Sequence, residues 1–386
     1  MTMTAPLRIL HCPTNVAGNP YGIALAEREL GLESHTLTLE QGPFLYPVDE
    51  VLFEPGDSMI DREVKRWKLL GRALRDFDVI HFNMGRSIFP MRYSLFGPAR
   101  HRYPGLKQRL ADTYISAIQL RDLPILKRAG KGIFVTYQGN DARQGDYCRT
   151  HFTYSTAHED FETYTPEGDE EKRRAIRAFG RYADRIYSLN PDLMHVLPSQ
   201  TQFQPYASVD PLEWPVTLAH NEVPLVLHAP SRRGMKGSAF ILEAVERLKA
   251  EGLPFEFMLV ENMPHAEARQ LYARADLLID QLLAGWYGAL AVELMAMGKP
   301  VVCYIRQEDL GFLPAGMRED MPLISAEPPT IYEVLKALLS KPREELTALG
   351  QRSRRYVERW HDPRRIAADL KGEYEQVMAL RAPEGP

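Results

Sequence analysis

The sequence predicts an α/β protein of two doubly wound parallel-sheet domains facing each other across a cleft, and three observations carry that reading. At 386 residues the chain exceeds what one hydrophobic core holds comfortably, and a prior of about 150 residues per domain points to two. Short apolar runs alternate with stretches of helical periodicity along nearly the whole chain, and parallel neighbours need such helices to cross between them. The alternation halts at a proline-rich stretch and then restarts, which makes two consecutive series.

In order, Leu7–Cys12 (LRILHC) opens as a strand, Pro13–Gly22 is a polar loop, and Ile23–Leu30 repeats apolar residues at helical spacing. Asp78–Phe82 (DVIHF) and Gly132–Tyr137 (GIFVTY) are further strands; the first stops at Asn83, Gly85 and Arg86, the second at Gln138, Gly139 and Asn140 before Asp141. Arg185–Leu189 follows a charged helical stretch, Glu170–Tyr182, and runs into Pro191, which favours a turn or a helix start. Gln204–Pro224 holds Pro205, Pro211, Pro215 and Pro224 and reads as an interdomain linker. Strand Leu225–His228, helix Ser238–Ala250, strand Phe255–Val260 and helix His265–Arg274 come next. Strand Leu277–Ile279, helix Ala289–Met297 and strand Val301–Ile305 continue the pattern. The expected division is 1–205 for the first domain and 206–362 for the second.

The composition, 45% hydrophobic and 25% charged, is that of a globular chain rather than a disordered, collagenous or membrane-spanning one. A net charge of -4 excludes a global field that would draw the protein onto nucleic acid. Cys12, Cys148 and Cys303 are odd in number and scattered, which fits a reducing compartment better than a disulfide framework. Met1–Pro6 has no secretory pattern, and no run approaches the ~20 apolar residues that span a bilayer. A cytoplasmic address is expected, with any membrane contact peripheral.

Ligands of such sheets bind beyond the carboxyl ends of the strands. His228–Gly237 (HAPSRRGMKG) sets Arg232, Arg233 and Lys236 in a loop ahead of a helix, where free N–H groups and the helix dipole favour an anion. These cations either hold a diphosphate or form a solvated basic turn. In Gly285–Pro300 (GWYGALAVELMAMGKP), Gly288 permits close backbone approach beside Tyr287, and Glu293 stands one turn into an otherwise apolar helix. An unpaired carboxylate there is costly, so Glu293 needs a partner, either a sugar diol or an internal cation.

The order HAPS…MKGS, AVERLK, LYARADLLID, GWYGALAVELMAMGKPVV resembles the second domain of retaining glycosyltransferases with the GT-B fold, the large family 4 or group 1 set. FDVIHFNMG, GKGIFVTYQGND and ADRIYSLNPDL resemble strands of that family's acceptor-side domain, and RRYVERWHDPRRIAADLKGEYEQV its closing helices. The resemblance implies Rossmann-like domains, with residues 363–386 packing back on the first. It implies that Lys236, with Arg232 or Arg233, binds the pyrophosphate of a nucleotide-diphosphate sugar and serves catalysis. It places Glu293 on the donor ribose, Gly288 and Tyr287 on the donor, and the base near Asn262 and Met263. The activity implied is transfer of a sugar, with retention, to a glycan, lipid-linked or small-molecule acceptor. No metal or other cofactor is implied, because cations and helix N-termini stabilise the leaving diphosphate.

Two positions depart from the family. The first glutamate of its Glu, seven residues, Glu pattern falls at Gly285, with Asp280 or Gln281 the nearest substitutes for the lost sugar contact. A histidine often precedes the acceptor-side glycine, whereas here Gln138 precedes Gly139; an amide bonds a hydroxyl but is no base. These departures keep two rivals open: a non-catalytic nucleotide-sugar binder and a nucleotide-sugar epimerase of the same architecture.

On the acceptor side, Gly18 sits where the family places a glycine-rich loop. Asp141, near Arg143, either orients an acceptor hydroxyl or joins an ion pair. Cys148, His151, His158 and Glu159 match no metal-site spacing, so no metal is expected there. Arg62–Arg75 sets Arg62, Lys65, Arg66, Lys68, Arg72 and Arg75 against Glu63 alone, and Arg100–Lys131 adds cations. That pattern is either an ordinary amphipathic helix on its own domain or a surface for an anionic membrane.

Overall fold

The computed structural model describes residues 5–94, 97–98, 106–217 and 221–381. Residues 1–4 of the opening segment, 100–105 of the second basic stretch, 218–220 of the proline-rich stretch and 382–386 of the closing segment lie outside them. The strands of the first half are β1 (Arg8–Cys12), β2 (Glu33–Thr38), β3 (Glu50–Val51), β4 (Val79–Asn83), β5 (Tyr93–Ser94), β6 (Gly97–Pro98), β7 (Gly132–Tyr137), β8 (Arg185–Ser188) and β9 (Gln202–Phe203). Those of the second half are β10 (Leu225–His228), β11 (Glu256–Leu259), β12 (Leu277–Ile279), β13 (Val301–Cys303) and β14 (Ile324–Ser325).

The first sheet runs β3-β2-β1-β4-β7-β8-β9 and the second β11-β10-β12-β13-β14, with parallel pairing throughout both, while β5 and β6 form a small antiparallel ribbon. β4 and β7 are buried at every position, as strands covered on both faces must be. Strand order reverses beside β1 and beside β10, and those switch points open the crevices in which such sheets bind ligands. Cys12, Cys148 and Cys303 are free and buried; Cys12 ends β1 and Cys303 ends β13.

Helix boundaries follow local chemistry. Ser58 and Asp61 form a reciprocal capping box that starts helix Met59–Asp76, and the Thr165 hydroxyl accepts from the Gly168 amide to start Pro166–Tyr182. Asp362 caps the closing helix Pro363–Ala379, whose Ile366, Leu370, Tyr374 and Val377 pack on Ile9, Val79, Phe134 and Tyr187 of the first sheet. Each such buried apolar side chain contributes about 1.5–3 kcal/mol.

The same helix completes a polar network inside this layer. The Glu27 carboxylate lies 2.8 Å from His11 Nε2 and accepts from Ser34 Oγ (2.6 Å) and Tyr374 Oη (3.0 Å). His81 stands 2.7 Å from both Tyr374 Oη and Thr136 Oγ1, and burial holds its imidazole well below the usual range. The network satisfies a carboxylate that would be prohibitively costly to bury alone.

The chain thus passes between the sheets twice, once after β9 and once before Pro363. The proline-rich stretch is a packed element rather than a solvated linker, since Tyr206, Ala207, Val209 and Trp214 are buried. The Ala207 amide donates to Asn19 Oδ1 at 2.7 Å, and a Cβ on Gly22 would stand 2.1 Å from the Ala207 carbonyl oxygen. His361 ties the second passage to the first: Nδ1 donates to the Tyr206 carbonyl (2.8 Å) and Nε2 accepts from Tyr287 Oη (2.9 Å).

Burial lowers the pKa values of His361 and His228 from 6.5 to about 4. Between those values the unfolded chain binds protons that the native one does not, so stability falls as pH drops from about 6.5 toward 4. We expect the urea midpoint to be lower at pH 5 than at pH 7.5, with each imidazole contributing about 2 kcal/mol to the difference. The difference should shrink in His361→Asn.

Candidate functional site

Between the carboxyl edges of the two sheets lies a cavity of about 230 Å³. Val16, Ala17, Phe44 and Tyr46 line it from the first half, while Ala229–Ser231, Lys236, Val260–Met263, His265, Tyr272, Ala289, Leu290 and Glu293 line it from the second. The loop after β10 tightens into a short helical turn, Arg233–Lys236, and Gly237 at φ 72° adopts a left-handed conformation that suits glycine before helix Ser238–Ala250 begins. Lys236 therefore ends the turn on the cavity wall, with Nζ 2.9 Å from Asp280 Oδ1. Asp280 follows β12, and its other oxygen accepts from the Gly288 amide at 2.7 Å, just ahead of helix Ala289–Ala296.

Glu293, one turn into that helix, is buried, and its Oε1 lies 2.8 Å from His265 Nε2. His265 begins helix His265–Arg274; its ring packs on Tyr46 at 4.5 Å, and its amide donates to the Phe44 carbonyl at 3.2 Å. A loop of the first half thereby roofs the cavity and touches the partner of Glu293. Burial, with the Glu293 charge adding to it, raises the Tyr46 pKa.

The sequence-predicted residues divide. Lys236, Glu293 and Asn262 line the cavity, and Gly288 stands at its edge, where a Cβ would lie 3.4 Å from Lys236 Nζ. Arg232 reaches across the cleft to Asp160 (3.1 Å) and Thr163 (2.8 Å), and Arg233 pairs with Glu261 at the surface. Neither arginine lines the cavity, so the expected triad of cations contracts there to Lys236. Tyr287 is absent from the wall as well: it is buried, with its hydroxyl between Tyr356 (3.1 Å) and His361.

Gly285 has φ 75°, and a Cβ there would stand 2.6 Å from the Arg306 guanidinium. Arg306 is held by Asp309 (2.8 Å), by the Tyr154 carbonyl (2.9 Å) and by the Phe152 ring 3.6 Å away, so a side chain at 285 would have to displace a guanidinium held on three sides. Asp309 also binds His195 at 2.8 Å, closing the two halves on each other, and burial lifts its carboxyl pKa. Of the two substitutes for the missing contact, Gln281 bonds the Trp286 carbonyl, and Asp280 holds Lys236 and Gly288.

On the acceptor side, Gly18 caps helix Asn19–Glu29 at φ 68°, beneath Tyr46. Gln138 is partly exposed, with its amide 3.5 Å from Asn83 Oδ1. Asp141 is buried and accepts from the Gln138 (3.1 Å) and Gly139 (2.7 Å) amides; burial pushes its carboxyl to about 6, against the pull of those bonds. It anchors a turn instead of presenting an oxygen to the cleft. Arg143 pairs with Asp192 at 2.6 Å, not with Asp141. His265, Tyr46 and Arg306 carried no motif that sequence reasoning could seize; a histidine right after Pro264 at a helix start was the one local hint.

Cys148 packs with Ala157 and Tyr164, its thiol pushed to about 11 by burial, and His151 stacks on Tyr147 at 3.9 Å. Among the described residues no cluster of His, Cys, Asp or Glu could hold a metal ion. On helix Met59–Asp76, Arg62 pairs with Glu40, Lys65 with Asp57 (2.7 Å), Arg72 with Glu50 (2.7 Å) and Arg75 with Asp76 (2.8 Å). Arg66 is largely buried, 3.4 Å from Glu63. Five of the six cations of the stripe thus stand beside carboxylates, while Lys68 is exposed. No described helix is long and apolar enough to cross a membrane.

No family model matches the chain, and no curated protein matches it in sequence. Its structure is similar to sucrose-phosphate synthase from Thermosynechococcus elongatus, with 13% identity over 97% of this chain and 100% of that one and a TM-score of 0.59. It is also similar to a glycosyltransferase from Rickettsia africae (11%, 97% and 99%, TM-score 0.56) and to the catalytic domain of starch synthase IV from Arabidopsis thaliana bound to ADP and acarbose (10%, 97% and 99%, TM-score 0.55). At such identities the likeness establishes the fold, which is GT-B: two Rossmann-like domains facing across a cleft.

Arg306 and Arg232 both cross the cleft, but only Arg306 is buried with its carboxylate. Arg306→Ala should destabilise the protein by about 3 kcal/mol, because it takes the guanidinium from the buried Asp309 carboxylate and leaves His195 to hold it. Arg232→Ala, half exposed, should cost less than about 1 kcal/mol. Urea denaturation of the two variants checks the contrast.

Proposed function

We propose that the protein is a glycosyltransferase that moves a sugar, with retention of configuration, from a nucleotide-diphosphate donor to a hydroxyl-bearing glycan, lipid-linked or small-molecule acceptor. The observation that carries this reading is the convergence of Lys236, the first turn of helix Ala289–Ala296 and the Glu293 carboxylate on one cavity at a switch point. Phosphate oxygens suit an ammonium and free helix amides. The Glu293 oxygen not engaged by His265 can accept from a pentose hydroxyl, and the base would lie toward Asn262, Met263 and Tyr272. The fold shared with a starch synthase bound to ADP supports the same reading.

In this mechanism the departing diphosphate gathers negative charge as the sugar–oxygen bond lengthens, and Lys236 and the helix amides stabilise it in place. Tyr46 and Phe44 roof the cavity and exclude water that would otherwise intercept the sugar. Gln138 can orient an acceptor hydroxyl, and with Asp141 held in its turn, a diphosphate oxygen receives the acceptor proton. The filled position at Gly285 favours a second reading, a nucleotide-sugar binder without turnover.

Calorimetric titration with UDP-, GDP-, ADP- and TDP-sugars, followed by product analysis with and without candidate acceptors, separates these readings. Acceptor-dependent sugar transfer is expected; binding without turnover would support the second reading, and acceptor-independent conversion an epimerase. Lys236→Ala should keep the native fold and lose about 100-fold or more in turnover. Glu293→Gln should raise KM for the donor more than it lowers kcat, since the pentose contact is made in ground and transition states alike.

A further inference from the structure

One fully buried carboxylate stands behind the cavity wall without lining it. Asp280 has no exposed side-chain surface, yet its two oxygens meet Lys236 Nζ at 2.9 Å and the Gly288 amide at 2.7 Å. Those donors belong to the two elements that would grip a phosphate, the turn after β10 and the start of helix Ala289–Ala296. The groups around it are already engaged, Arg232 by Asp160, Arg233 by Glu261 and His265 by Glu293.

A lysine beside a cavity has a long flexible stem and swings into solvent unless something holds it. An ammonium carries three N–H donors. With one fixed on Asp280 and the side chain 15% exposed on the cavity wall, Lys236 keeps donors to aim inward. By accepting from Gly288, Asp280 also fixes the start of the helix whose next two residues, Ala289 and Leu290, line the cavity.

Resting on the nucleotide-sugar reading, we propose that Asp280 is a positioning residue for phosphate recognition: it aims the Lys236 ammonium and sets the mouth of the following helix, so that the donor meets one pre-aimed cation. Asp280 thus acts through Lys236 and contributes to phosphate affinity, not to affinity for base or pentose. A purely structural carboxylate would weaken all parts of the ligand together.

The test is calorimetric titration of wild type, Asp280→Asn, Lys236→Ala and the double variant with UDP, GDP, ADP and TDP and with their parent nucleosides, circular dichroism confirming the fold. The expected result is a loss of about tenfold or more in diphosphate affinity for D280N with nucleoside affinity unchanged. The double variant should bind no more weakly than Lys236→Ala alone, because the substituted amide can still accept from Gly288 and no ammonium remains to be aimed. Diphosphate affinity in D280N equal to or above wild type, a parallel loss of nucleoside affinity, or losses that add in the double variant would overturn the proposal. If D280N fails to fold, Lys236→Met against K236M/D280N decides the matter: equal diphosphate affinities support it, and a further loss in the double variant overturns it. Failure of wild type to bind any of the four diphosphates would instead remove the nucleotide reading on which the proposal stands.

Discussion

The working geometry depends on one imidazole. His361 bridges the Tyr206 carbonyl and the Tyr287 hydroxyl, and so binds the chain's second passage between the sheets to its first. Two passages of backbone pinned to each other hold the halves more firmly than either would alone. The cavity walls come from both halves, so their spacing depends on this crossing together with the contacts across the cleft. Burial keeps the ring neutral near physiological pH, which lets Nδ1 donate while Nε2 accepts.

Across the cleft from that crossing the halves meet through charge. Arg306 inserts between Asp309 and the backbone of Tyr154, and Arg232 reaches Asp160. The cations around the cleft are thus matched to carboxylates before any ligand arrives. A site so balanced selects by direction, since what it offers an anion is a few oriented N–H groups and not a broad positive field.

Much of the fold was legible because its strands are short, mostly apolar runs: VIHFN at β4 and GIFVTY at β7 are buried at every residue. β2 was not, because ESHTLT has no apolar pattern; its Ser34 and Thr36 are buried through bonds to Glu27 and Asp49, partners that no local window shows. The same rule divides the candidate site. Lys236 and Glu293 were legible since a loop-to-helix junction dictates where they stand. Arg232 was misread because an acid 72 residues earlier decides its direction. Tyr287 adjoins Gly288 in sequence, yet it turns into the core toward Tyr356. The basic stripe of Met59–Asp76 looked unpaired because most of its acids lie earlier in the chain, at Glu40, Glu50 in β3 and Asp57. Gly285 read as a loss, while the structure shows the space filled by Arg306 from the next strand's loop.

The cysteines carry a practical consequence. Cys12 closes a central strand of one sheet and Cys303 a strand of the other, and both thiols are sealed from solvent and held protonated by burial. Neither can meet an alkylating reagent until its own sheet opens. The rates at which the two sulfurs become labelled in native buffer therefore time the opening of each half separately, and tell whether the halves come apart together or one after the other.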